Sequence, residues 1–362
     1  MTHPSRRAVL AGTAAATVAG ASTLATPALS QGRIEWLMVT SWPRNLPGPG
    51  ITAQRIADGV ARASEGRLTI QLKSAGEIVP ALQVFDAVAE GTAQMAHTAA
   101  LFWAGKMPVA PLFTAAPFGL TPLEHITWID HGGGQALWDR LYEPFGIKPL
   151  MAGNTGFQMG GWLKREVTSL DDIKGLKMRM PGLGGEVIRR LGATPVSLPP
   201  AEILPALKAG TIDAAEFLGP WSDLASGFWQ AAKFYYWPGF HEPNGTGEAL
   251  ISLQAWNDLP DDLKAIVGQA CAAENIRALG EAQWMNAVSL QRLQVEKGVM
   301  LRPWPDDVLR AAQEAADEVF DALAQKGQTE AAIIASYRAA RAQLQPWSKV
   351  SQAALLAARD RG

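Results

Sequence analysis

Four short stretches carry side chains able to hold an anion and a cation together. Residues 175–182 read GLKMRMPG. Their alternation places Leu176, Met178 and Met180 on one face of a short strand, and Lys177 and Arg179 on the other. Two cations on one strand face are either solvated surface charges or include one that holds an anion. Residues 155–162 (TGFQMGGW) set Gln158 among glycines, and glycine inside a strand marks close approach by a ligand or another backbone; an exposed edge position is the alternative. Residues 213–220 (DAAEFLGP) put Glu216 near the end of an apolar strand. In an open α/β sheet ligands lie at the carboxyl ends of strands, and an acid there is either paired with a cation or held neutral. Residues 234–242 (FYYWPGFHE) form the densest aromatic run and close on Glu242; core packing is the commoner reason for such rings.

The chemistry available to one Arg, one Gln and two Glu is specific. A guanidinium meets a carboxylate with a two-pronged hydrogen bond. Oxygens from Glu, a Gln amide and a backbone carbonyl suit a hard cation such as Na⁺ or Ca²⁺. Two acids, one arginine and one anionic ligand leave an excess of negative charge, which such a cation offsets.

The motifs of common enzymes are missing: there is no HExxH, C-x-x-C, Walker loop or G-x-S-x-G. The five histidines are His3, His97, His125, His131 and His241. His131-Gly132-Gly133-Gly134 resembles an oxyanion loop, but with no serine elbow a helix cap is expected there. Cys271, the single cysteine, can form no internal disulfide and is expected as a small buried helix residue. The balance of 32 Lys+Arg against 34 Asp+Glu favours neither nucleic acid nor an anionic membrane surface as a partner.

These residues need a scaffold. Residues 1–30 combine Arg6-Arg7, an Ala/Gly/Thr/Val run and small residues at Ala28 and Ser30, the order of a twin-arginine signal cleaved before Gln31. No later segment approaches the roughly 18 uninterrupted apolar residues of a membrane span, so the mature protein is expected to be soluble and periplasmic. Strands are expected at 34–39, 68–72 and 94–98, with helices at 52–64 and 79–90. The alternation returns with strands at 156–163, 176–180, 194–198 and 212–217, and helices at 184–191 and 201–208. Such alternation argues for an α/β fold. EGTAQMA (90–96) and AGTIDAA (209–215) each stop a helix with Gly-Thr before a strand, which fits two lobes built from similar βαβ units. After Pro260 the pattern predicts a long helix or kinked pair at 261–296 and a strand at 300–303. Helices follow at 306–324 and 329–344, then a break at Pro346-Trp347 and a last helix at 351–359.

Together GNTGFQMGGW, GLKMRMPG, LKAGTIDAAEFLGP and SAGEIVPALQVFDAVAEGT resemble the DctP-type extracytoplasmic solute receptors of TRAP (tripartite ATP-independent periplasmic) transporters. The branch most similar binds 2-oxo acids with a metal ion, and the likeness runs from Ile34 to the C-terminal helices. The resemblance implies a two-lobed periplasmic binding protein of α/β class (type II-like) with a long interdomain helix and extra C-terminal helices. It assigns 31–153 to lobe 1, with part of 243–303 returning to it, and 154–242 to lobe 2. The long helix covers 256–298, further helices 304–345, and a tail helix 346–362 is swapped between subunits of a homodimer. Arg179 matches the arginine that receives the substrate carboxylate. Gln158, Glu216, Glu242 and the main-chain carbonyl of Phe217 match metal ligands, with Gln158 and Phe217 also beside the substrate. A Na⁺ or Ca²⁺ ion bound with the substrate and a TRAP membrane permease as partner are implied likewise.

Two stretches depart from the family pattern. Phe217 stands where tryptophan is frequent, and Leu101-Phe102-Trp103 stands where tyrosines are expected. Phe102 and Trp103 are therefore expected to make an apolar wall for a tail larger than that of pyruvate, as in a branched-chain 2-oxo or 2-hydroxy acid. An exported enzyme acting on organic acids is the competing reading, and an export chaperone a third; the missing base, nucleophile and cofactor loops favour a receptor.

Overall fold

The computed structural model describes residues 32–361; the expected signal segment lies outside them. Two sheets organise the chain. The first has the order β2-β1-β3-β10-β4, built from β1 (Ile34–Thr40), β2 (Leu68–Lys73), β3 (Met95–Thr98), β4 (Ile147–Asn154) and β10 (Thr246–Ser252). β1 runs parallel to β2 and β3, whereas β10 is antiparallel to both β3 and β4. The second has the order β11-β9-β5-β8-β6-β7, from β5 (Gly161–Leu163), β6 (Lys177–Arg179), β7 (Thr194–Val196), β8 (Ala214–Ala215), β9 (Phe234–Trp237) and β11 (Met300–Pro303).

Helices cover both sheets, as the alternating pattern requires. In the first half they are α1 (Pro49–Ala63), α2 (Val84–Ala89), α3 (Pro122–His131) and α4 (Gly134–Tyr142). α5 (Gly182–Arg190), α6 (Pro200–Ala209) and α7 (Pro220–Ser226) follow among the strands of the second sheet, then α8 (Leu253–Asp258). The C-terminal part holds α9 (Asp261–Val295), α10 (Asp306–Ala324), α11 (Gln328–Ser348) and α12 (Ala354–Arg359). Among the described residues no helix is long and apolar enough to cross a membrane.

α9 is one unbroken helix of 35 residues that packs beside both sheets. Near its start Leu263, Val267 and Cys271 share a core with Trp36 and Ile56; near its end Leu293 packs with Trp162 and Phe217. The Asn286 side chain accepts from the Trp221 N–H at 3.0 Å, tying α9 to α7. Burial pushes the Cys271 thiol up to about 12, which suits its packing role.

Several elements differ from expectation. The strand expected at 156–163 is confined to Gly161–Leu163, and that at 212–217 to Ala214–Ala215. β4, β9 and β10 are additional to the expected strands; β4 carries Pro149 but is the edge strand of its sheet, where a missing ladder donor is tolerated. The helix expected at 79–90 divides into a 3₁₀ turn, Ala81–Gln83, and α2, with Pro80 just before the turn. Pro346 does not break α11: the helix continues to Ser348 and opens into a π-helical turn, Lys349–Ala353, ahead of α12. A wider turn shortly after a proline accommodates the lost i→i−4 hydrogen bond. The glycines after His131 end α3 and begin α4, with Gly133 left-handed at φ +81°.

Candidate functional site: a buried arginine and carboxylate cluster

Arg179 and Glu216 meet because two parallel strands end side by side. β6 and β8 pair with Arg179 opposite Ala215, and the Glu216 N–H donates to the Arg179 carbonyl at 3.0 Å. Glu216 therefore lies one residue past its strand, at the carboxyl edge of the sheet. Arg179 is 2% exposed and Glu216 0%. Arg179 Nη1 donates at 2.7 Å to both the main-chain oxygen and Oε1 of Glu216, and Nε donates to the Leu198 carbonyl at 3.3 Å. Nη2 has no hydrogen-bond partner among the described residues, so one edge of the guanidinium remains for an anion. Its carbon lies 5.7 Å from the centroid of the Phe217 ring, within cation–π range. The opening pair thus divides: Lys177 is exposed at the start of β6, and Arg179 is buried at its end.

The other members come from the two segments that cross between the sheets. Gln158 lies between β4 and β5, so it sits in a loop and not in the strand expected for it. His241 and Glu242 lie between β9 and β10. The crossings press together: Gly239 N–H donates to the Gln158 carbonyl at 3.2 Å and Thr155 N–H to the Gly245 carbonyl at 2.9 Å. A Cβ on Gly245 would stand 1.9 Å from Thr155 Oγ1 and 2.6 Å from Gln158 Nε2, so a larger residue would displace both side chains. Asn154 and Asn244 lock the same segments through a 2.8 Å side-chain hydrogen bond.

One ligand atom from each of Glu216, His241 and Glu242 lies within 4.8 Å of the others. His241 Nε2 is 3.0 Å from Glu216 Oε2. Burial raises the Glu242 pKa well above the usual carboxylate range, and the charge of Glu216 adds to this; Arg179 and the Gln158 side chain oppose it. Gln158 Oε1 is buried without a hydrogen-bond partner among the described residues. Gln158 lies beside Glu242; a buried acceptor left unpaired next to a buried acid is costly, and a cation there would offset both. The donor set therefore fits a hard cation.

A cleft opens over the cluster. Arg179, Gln158, Phe217 and Glu242 line it from the second sheet and the crossings, and Phe102, Leu101 and Trp42 from the first half of the chain. His97 forms part of that wall; Trp42 Nε1 donates to its Nδ1 at 2.8 Å and its Nε2 meets the Ala152 carbonyl at 2.5 Å. The acceptor role of Nδ1 fixes the tautomer with the proton on Nε2, and burial lowers the pKa to about 4, so this wall is uncharged.

Of the residues singled out from sequence, the structure brings Arg179, Gln158, Glu216, Phe217, Glu242 and Phe102 to this region. It does not bring Trp103. The segment Ala100–Trp103 is a 3₁₀ turn that directs Phe102 to the cleft and Trp103 into the core, where its indole donates to Glu248 Oε1 at 2.6 Å. His241 was missed as a cluster member, although its place beside Glu242 was the available signal.

Residues 39–326 match the family of bacterial extracellular solute-binding proteins, family 7 (DctP). A monocarboxylate 2-oxoacid-binding periplasmic protein of Nostoc sp. is 40% identical over 88% of this chain and 87% of its own length. The crystal structure of a TRAP periplasmic solute-binding protein from Pseudoalteromonas atlantica, with bound sodium and pyruvate, is 37% identical; the match covers 90% of this chain and 99% of that one, with a TM-score of 0.87. A TRAP transporter solute-binding protein from Bordetella bronchiseptica, a mixed-occupancy dimer with calcium and picolinate, is 33% identical over 89% of this chain and 96% of that one, also at TM-score 0.87.

Proposed function

We propose that this chain, which belongs to the family-7 bacterial extracellular solute-binding proteins, binds a small 2-oxo or 2-hydroxy monocarboxylate together with Na⁺ or Ca²⁺. Its family is one of periplasmic receptors, not enzymes, so it captures and delivers solute without turning it over. The observation that carries the reading is the free edge of Arg179 beside two buried acids and an unpaired Gln158 oxygen. Arg179 Nη2 receives the substrate carboxylate; Glu216, Glu242, Gln158 Oε1 and the Phe217 carbonyl hold the ion. The bound cation supplies positive charge that offsets the acids and attracts the substrate's oxygens. Relatives of this fold bind pyruvate with sodium and picolinate with calcium, chemistry of the same class.

Finer features extend the reading. Phe102, Leu101 and Trp42 face the cleft with apolar surface, which suits a branched-chain tail. Trp347, Val350 and Leu355 stand exposed on the C-terminal tail, apolar surface that a homodimer would cover. Export by the twin-arginine segment and delivery to a TRAP permease complete the route. Mass spectrometry of ligand released from purified protein, with metal analysis of the same sample, tests the core of this reading. A small 2-oxo or 2-hydroxy acid with about one cation per chain is expected; a tightly held redox cofactor would overturn it.

A further inference from the structure

We infer that His241 is a positioning residue that divides Glu216 between Arg179 and the cation. The inference rests on the reading that Glu216 and Glu242 hold a cation. Glu216 has two carboxylate oxygens: Oε1 takes the Arg179 Nη1 hydrogen bond at 2.7 Å and Oε2 faces His241 Nε2 at 3.0 Å. A guanidinium and a carboxylate prefer to pair through both prongs. Without a competing donor on Oε2, Glu216 would turn and engage both terminal nitrogens of Arg179. That pairing would take the acid from the cation and Nη2 from the substrate carboxylate in one movement. His241 prevents it by holding Oε2 away from the guanidinium.

The surroundings of His241 support this assignment. Its side chain is fully buried, and Glu216 is its one polar partner among the described residues, because Nδ1 has none. His97, which serves the wall, is by contrast bonded on both ring nitrogens. Gly184 of α5 makes room for His241: a Cβ there would stand 2.8 Å from His241 Cβ. The imidazole is thus seated by packing and aimed at a single oxygen.

The test uses the full mature protein, titrated calorimetrically with Ca²⁺ alone and then with pyruvate. His241→Leu is expected to lower Ca²⁺ affinity about 10–100-fold, the usual cost of losing a group that orients a ligand, and to weaken pyruvate binding as well. His241→Gln, which restores an N–H donor, should recover Ca²⁺ affinity to within about threefold of wild type. Gly184→Ala keeps the imidazole but displaces it, and should give an intermediate loss. Wild-type Ca²⁺ and pyruvate affinities in His241→Leu, with Glu242→Gln impaired, would overturn the positioning role alone. Failure of the wild type to bind Ca²⁺ or Na⁺ would overturn the cation reading and this inference with it. If His241→Leu does not fold, wild-type affinities in Gly184→Ala overturn the role.

Discussion

Glu216 and Glu248 are both fully buried acids, one beside each sheet, and their partners differ in kind. Glu216 meets a guanidinium and an imidazole, both buried with it. Glu248, on β10, accepts from Trp103 Nε1 at 2.6 Å and Tyr142 OH at 3.1 Å, both neutral donors. Burial pushes the Glu248 carboxyl up to about 8, so it stays mostly protonated at neutral pH and acts as a hydrogen-bonding knot in the core. The lesson is that burial alone does not mark a binding carboxylate. What sets Glu216 apart is a guanidinium at hydrogen-bond distance and the neighbouring Glu242, which lines the cleft.

The strongest way to break this comparison is Arg179→Ala. It should cost on the order of 2–5 kcal/mol of carboxylate binding, because a buried charge loses its partner. Arg179→Lys should also bind poorly, since a compact ammonium lacks the planar fork that reaches the Glu216 carbonyl and carboxylate from one nitrogen and leaves another for the ligand. Pyruvate titrations giving near-wild-type affinity in either variant would remove Arg179 from the site. Glu242→Gln comes next: Ca²⁺ affinity should fall by at least about tenfold, checked by equilibrium dialysis.

Glu248→Gln sharpens the other side. The folded pKa of Glu248, about 8, stands above its ordinary 4.5, so the folded state holds the proton more tightly than the unfolded chain. Its contribution to stability is present below about pH 4.5 and is lost as pH rises toward 8. Thermal melts should show wild type losing stability across that window and Glu248→Gln losing less, with pyruvate affinity unchanged. An equal pH slope in both proteins would contradict the contrast. The smallest effect is expected from Phe102→Tyr. A hydroxyl on the apolar wall should shift the ratio of 2-oxoisocaproate to pyruvate affinity by less than about tenfold toward pyruvate. No change in that ratio would remove Phe102 from substrate selection.

Some of this was open to inspection in the residue order, and the reasons are local. Alternation in GLKMRMPG placed Leu176, Met178 and Met180 together, and all three are buried. It could not separate Lys177 from Arg179, because burial along a strand depends on what covers its end. Gln158 was expected inside a strand at 156–163, yet the pairing begins only at Gly161, and the glycines that let the crossing segments approach it are Gly239 and Gly245 of the other crossing. Trp103 and Phe102 have the same apolar character, and only the 3₁₀ turn decides which one faces the cleft. His241 acquires its place from contact with Glu216, 25 positions earlier in the chain, and no spacing rule covers that distance.

The placement of β10 has a consequence for how the molecule can be divided. It lies between β3 and β4, yet enters the sequence only after every strand of the second sheet except β11. A gene fragment stopping before Thr246 would leave β3 and β4 facing an empty slot, each with an unpaired row of backbone groups. A fragment starting after Asn154 would carry β10 with no sheet to enter. Neither half can be expressed as a contiguous piece, and during synthesis neither sheet is complete until most of the chain has emerged.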